Sequence, residues 1–138
     1  MTVHGGALRL ETVGHGAIID ITEGVARVVA AAGIDRGVAT AFATGSTVAI
    51  TTMEHEPGGV TDLQALLERL IPVAAHYEHN VRNHDSNAYA HLRAALIGPS
   101  ESVPVVGGEL MLGTWQQIVL LDFDDRPRTR TVTVNVVS

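Results

Sequence analysis

The sequence predicts a single-domain α+β fold with a largely antiparallel or mixed sheet and about three helices. Three observations carry that expectation. Helical periodicity is confined to the part of the chain before Gly98, and the residues after it alternate or run apolar as strands do. Gly107-Gly108 separates two short strand-like runs as a two-residue hairpin turn. No repeat, linker or low-complexity segment interrupts the 138 residues, which suits one domain.

Residues 8–12 alternate and form the first expected strand, with Gly14-His15-Gly16 as its turn. Thr22 caps a helix over residues 22–32, with Val25, Val28 and Val29 inward and Gly33 as the stop. Residues 37–43 and 47–53 are rich in Val, Thr and Ile and read as two strands. Glu56-Pro57-Gly58-Gly59 reads as a loop, and Thr61 opens a second helix whose stripe includes Leu63, Leu66, Leu67 and Leu70. Pro72 ends that path, and residues 76–80 begin a polar loop. A third helix is expected over residues 86–97, stopped by Gly98-Pro99. Strands are expected next at 102–106 and 109–112, then at 117–123, which is apolar at nearly every position as a strand covered on both faces should be. Residues 124–128 make the last turn, and Val132, Val134 and Val136 alternate with Thr131, Thr133 and Asn135.

Composition narrows the function classes. With 46% hydrophobic residues and no cysteine, the chain can build a core without disulfides, and it has no thiolate nucleophile or cysteine metal ligand. A net charge of −6, with all nine basic residues arginine, argues against nucleic acid and anionic membranes as partners. The start of the chain lacks a signal-peptide pattern and no apolar run is long enough to span a bilayer, so a soluble cytoplasmic protein is expected. Arg126, Arg128 and Arg130 cluster near one end, where a solvated hairpin edge is favoured over a phosphate clamp.

Chemistry concentrates between His84 and Ser100. Four of the seven histidines lie from His76 to His91. His76 and His79 read as surface or capping histidines. On a helix, Asn87 and His91 lie four apart and share a face, with His84 at the entry and Asp85 at the N-cap position. The other face, Ala88, Leu92, Ala95 and Leu96, is expected to pack on the core. The Asn87 amide can fix the tautomer of His91 and leave its second nitrogen for a ligand. His84, Asp85 and His91 are close enough in sequence to hold a divalent metal, zinc or magnesium, with a second subunit as an alternative source of donors. Gly45-Ser46-Thr47 is either a binding loop for a small phosphorylated or anionic molecule or a strand-opening turn. Glu54 is a base, a ligand or a partner for an arginine. Trp115 is read as core or ligand contact, and Gln116 as a group at a ligand edge.

The pattern Asp85-x-Asn87-x-x-x-His91-Leu92, together with Leu112-Gly113-Thr114-Trp115-Gln116, resembles the YjbQ-like family, often labelled secondary thiamine-phosphate synthases. The likeness extends through residues 21–25, 45–54 and 123–128. It implies a homotrimer, with Asp85, Asn87 and His91 at the family's recurrent polar positions and the motifs near one another in the fold. Many family members carry histidine where this chain has Gly45, which removes one candidate metal ligand here. The implied activity joins a pyrimidine pyrophosphate to a thiazole phosphate, with His91 as the acid, Asp85 and Asn87 beside it and Gln116 positioning the ligand. The rival readings are a metal-assisted hydrolase or lyase on another small anion, and a non-catalytic trimeric ligand-binding protein.

Overall fold

Alternation decides the larger sheet, and a doubly covered strand decides the layering. The computed structural model describes residues 1–138. In chain order the elements are β1 (Val3–Thr12), β2 (Ala17–Asp20), α1 (Thr22–Ala32), β3 (Arg36–Ala43), β4 (Val48–Met53), α2 (Pro57–Leu70), α3 (Glu78–Asn83), α4 (Ala88–Ile97), β5 (Ser100–Val106), β6 (Glu109–Leu110), β7 (Gln117–Asp122) and β8 (Arg128–Val137). They form a five-stranded sheet in the order β1-β8-β3-β5-β6 and a three-stranded sheet in the order β2-β7-β4. Every pairing is antiparallel. The α+β expectation holds.

Val132, Val134 and Val136 of β8 are fully buried while Thr131, Thr133 and Asn135 face out, as the alternation requires. β7 is the centre of the smaller sheet and is buried from Ile118 to Asp122. Its Ile118 and Leu120 join a core with α1 and the larger sheet. Its Val119 and Leu121 face the other way, into a second core with Leu67 of α2 and Tyr89, Ala90 and Ala94 of α4. The layers are therefore the large sheet with α1, the small sheet, and the remaining helices.

The hairpin at Gly107-Gly108 is as expected: φ is 63° and 76°, both positive, which a two-residue turn of this hand needs and glycine supplies without strain. Val105 then pairs with Leu110, and pairing stops there rather than at Leu112. α1 spans the expected residues and ends on Gly33. Thr22 does not cap it; its amide goes to Asp20 Oδ1 at 2.9 Å and its hydroxyl accepts from the Ile118 amide at 2.9 Å, tying α1 to β7.

Two stretches read as loops are helical. Glu56 is the N-cap of α2, its carboxylate accepting from the amides of Gly58, at 2.9 Å, and Gly59. Pro57 begins the helix, where its missing N–H costs nothing, so two glycines survive in a first turn held by that carboxylate. α3 replaces the expected polar loop, bringing the helices to four. The strand β2 was hidden by its brevity.

α4 begins later than expected, and its faces are reversed. Asn87, not Asp85, is the N-cap residue, and the Ala88 amide is taken by Asn80 Oδ1 of α3 at 3.0 Å. Of the face expected to be inward, Ala88 is buried, but Leu92 and Leu96 are 47% and 64% exposed. The helix instead lays Tyr89, Ala90 and Ala94 on the small sheet. Leucines on one side and alanines on the other make both faces apolar, and the alanines allow the closer approach. Arg93 fixes the docking: its guanidinium donates to the Ile71 carbonyl at the end of α2 and to Glu68 at 2.8 Å. No helix is long and apolar enough to cross a membrane.

Candidate functional site

α3, α4 and the β3–β4 crossover meet around a histidine pair. The rings of His79 and His91 stand edge to face with centroids 4.7 Å apart. Asn83, one turn beyond His79, donates from Nδ2 to the His79 carbonyl at 3.0 Å and lies 3.3 Å from His79 Nδ1. An amide nitrogen only donates, so Nδ1 accepts and the His79 proton sits on Nε2. That proton is given to Asn87 Oδ1 at 3.2 Å. His91 Nδ1 faces the Ser46 carbonyl at 3.2 Å; a carbonyl only accepts, so Nδ1 carries the proton. His91 Nε2 is left with a free lone pair, and the half-buried ring faces a cleft of about 270 Å³ lined by Gly45, Ser46, Val48 and Ala94 among others.

The sequence-predicted residues divide. His91, Gly45 and Ser46 line this cleft, whereas Asn87 and Asp85 stand at the neighbouring His79. His91 is oriented by the Ser46 carbonyl rather than by Asn87, whose side chain serves His79. Asp85 is not the cap; it accepts from the Ser86 amide at 2.8 Å and stands 3.7 Å from His79. The Thr47 hydroxyl is buried and committed, donating to Asp124 at 3.2 Å and accepting from Arg130 at 2.7 Å. His84 is a left-handed residue, φ 51°, ending α3. His84, Asp85 and His91 do not converge: no three or more His, Asp or Glu side chains stand close enough to hold a metal ion.

Glu54, Trp115 and Gln116 lie elsewhere in the chain's fold. Gln116 donates to Thr52 at 3.1 Å and accepts from the Gly113 amide, at the far end of β4 from Ser46. Six extended residues separate those ends by roughly 17 Å. Trp115 is 73% exposed, so its indole is not core, and Glu54 is exposed too. Within one chain the two motifs form separate surfaces.

Sequence reasoning missed the buried network beneath the cleft. Arg130, assigned to a solvated hairpin edge, is buried and donates to both Asp122 oxygens at 2.8 Å. Thr12 donates to Asp122, and Arg128 to Asp124 at 2.7 Å. Burial pushes the Asp122 carboxyl up, but hydrogen bonds from Arg130 and Thr12 outweigh it and hold the group below the usual carboxylate range. Asp124 is lowered in the same way, burial being overcome chiefly by Arg128. Of the three arginines, only Arg126 is free of this network. Two signals were available. Arg130 shares the inward phase of Val132, Val134 and Val136, and Asp122 sits in a strand buried on both faces, where an ionised group demands a partner.

A groove of about 850 Å³ between β1 and α1 is larger, lined by Gly5, Gly6, Ala7 and Val28 with Arg9 and Glu23 among its charged groups. Its one ion pair, Arg27 with Glu23 at 3.9 Å, is a solvent-exposed pair one helical turn apart on α1, and the groove holds no paired histidines.

A family model described as UPF0047 protein YjbQ-like matches residues 6–138. A UPF0047 protein of Methanothermobacter thermautotrophicus is 41% identical over 136 residues, covering 99% of this chain and 93% of that one. The UPF0047 protein YugU of Bacillus subtilis is 33% identical, covering 94% and 96%. Among solved structures, a YbjQ-like protein of unknown function from Sulfolobus solfataricus superposes with a TM-score of 0.93 at 32% identity, over 98% of this chain and 96% of that one. A hypothetical protein from Aeropyrum pernix gives 0.90 at 31%, over 97% and 98%.

Proposed function

The chain belongs to the YjbQ-like UPF0047 family, and from the histidine cleft we propose that it is a small-molecule enzyme acting by proton transfer at His91. The observation that carries this is the hydrogen-bond order Asn83–His79–Asn87 beside His91–Ser46. It commits three of the four ring nitrogens and leaves His91 Nε2 alone free toward the cleft. Neutral, that nitrogen takes a proton from a substrate; protonated, it gives one to a leaving oxygen. The first reaction to test is the condensation of a pyrimidine pyrophosphate with a thiazole phosphate, releasing pyrophosphate, with a small anionic substrate of another kind next. Pyrophosphate release above the background rate supports the assignment, and no release at any pH between 6 and 9 would remove it.

The assembly proposed is a homotrimer. Val3, Val137, Val38 and Pro104 lie in register across β1, β8, β3 and β5 on the outer face of the large sheet. The next outward rows are Gly5, Asn135, Thr40 and Ser102, then Ala7, Thr133, Phe42 and Ser100, none of them charged. Phe42 is 45% exposed. An uncharged patch of this kind is what subunits cover. Light scattering at micromolar concentration is expected to read three chains; one chain would overturn it. A metal-assisted hydrolase or lyase is the second reading, with zinc or magnesium needing a donor from a neighbouring chain, and stoichiometric metal in the purified assembly would favour it.

A further inference from the structure

Arg130 uses two of its three nitrogens within the fold. Nε and Nη2 bind Asp122, and Nη2 also binds Thr47, whereas Nη1 has no hydrogen-bond partner. No side-chain nitrogen or oxygen lacking a partner is fully sealed in this protein, so Nη1 keeps contact with solvent although the side chain is only 8% exposed. The guanidinium is thus a charged donor held in place by Asp122 and Thr47 and left open at one corner.

The corner opens at Gly45. A Cβ built there would lie 2.8 Å from Nη1 and 2.9 Å from Val48, at a φ of 154°, so only glycine leaves that nitrogen uncovered. Beside it, the amides of Gly45, Ser46 and Thr47 donate to nothing, while the Thr44 amide before them is paired with the Thr131 carbonyl at 3.2 Å. Three successive free amides stand next to a guanidinium corner, and residues 45–47 themselves carry no carboxylate. The charges behind them balance, with Arg128 and Arg130 against Asp122 and Asp124. In a chain of net charge −6, such a neutral, donor-rich spot is where an anion meets least repulsion.

We propose that Arg130 Nη1 and the amides of Gly45, Ser46 and Thr47 form an oxyanion subsite for the phosphate or carboxylate end of a small molecule. It rests on the reading of the histidine cleft as a ligand site, since the Ser46 carbonyl that orients His91 belongs to the same loop. The subsite would put the anionic end of a substrate next to the ring that transfers the proton.

The test is amide-resolved NMR titration of the whole protein with inorganic phosphate, with sodium acetate and, as an ionic-strength control, sodium chloride. Saturable shifts confined to Gly45, Ser46, Thr47 and neighbouring amides are expected, with binding in the millimolar range for so small a probe. Tighter phosphate than acetate identifies a phosphate subsite, and the reverse a carboxylate one. Ser46→Asp places a carboxylate on an exposed residue at the same loop; it should weaken binding at least tenfold without changing the melting temperature. Gly45→Ala should weaken it as well by covering Nη1. Shifts no different from those with chloride, or binding unaffected by Ser46→Asp, would overturn the subsite. Either result leaves His91-dependent turnover, measured separately, to decide the function.

Discussion

Arg130→Met is expected to destabilise the protein by about 3–5 kcal/mol, the usual cost of stripping one partner from a buried ion pair. Asp122 is completely buried, and its two oxygens lose the Nε and Nη2 donors while keeping only Thr12 and the Asp124 amide. Urea unfolding measures the effect, and a loss below about 1 kcal/mol would mean the pair is not what holds this end of the sheets together. The double variant Arg130→Met with Asp122→Leu should recover much of the loss, because no orphaned charge remains. Acid should act on the same network. Both carboxyls are depressed in the folded state, so their contribution is fully present above the ordinary carboxylate value of 3.8 and fades below it, as pH falls toward the Asp124 value of about 2.

His91→Asn is expected to lower turnover by roughly 10²–10⁴-fold, the range for a lost general acid or base. Its ring is half-buried, packs edge-on to His79 and makes one hydrogen bond, to a carbonyl. Asparagine can restore that bond through its amide but offers no basic nitrogen to the cleft. Melting temperature should therefore move little while activity collapses. A fall in stability with unchanged specific activity would make His91 a packing residue and remove the acid–base reading. His79→Gln makes the contrast: it keeps a donor for Asn87 and should cost far less, because neither nitrogen of His79 is free.

What could be read from the sequence was whatever depends on period and turn chemistry. The valines of β8, the glycine pair before β6, the Gly33 stop and the doubly apolar run of β7 each carry a local signal, and each appears where expected. What escaped depends on tertiary partners. Nothing local distinguishes Glu56-Pro57-Gly58-Gly59 as a loop from the same residues as a capped helical turn, since the answer lies in where one carboxylate points. The cap of α4 comes from Asn80, eight residues away on another helix, so Asp85 looked like the natural choice. His79 was set aside because its value lies in Asn83, Asn87 and His91 arriving together. That His91 stands on a helix was legible; the carbonyl that sets its tautomer, on a crossover 45 residues upstream, was not.

The position of β8 in the large sheet has a consequence for how the chain is made. β8 lies between β1 and β3, yet it comes after both of them and nearly everything else in sequence order. Synthesis from the N-terminus therefore leaves Leu8 and Leu10 of β1 and Ala39, Ala41 and Ala43 of β3 without the valine-bearing strand that joins them. Their ladders close only across long intervening chain, which makes such pairing slow. Until β8 emerges, two strand edges that are interior in the finished sheet stand open to other nascent chains. The larger sheet, and with it the Arg130 network that β8 carries, belongs to the last moments of folding.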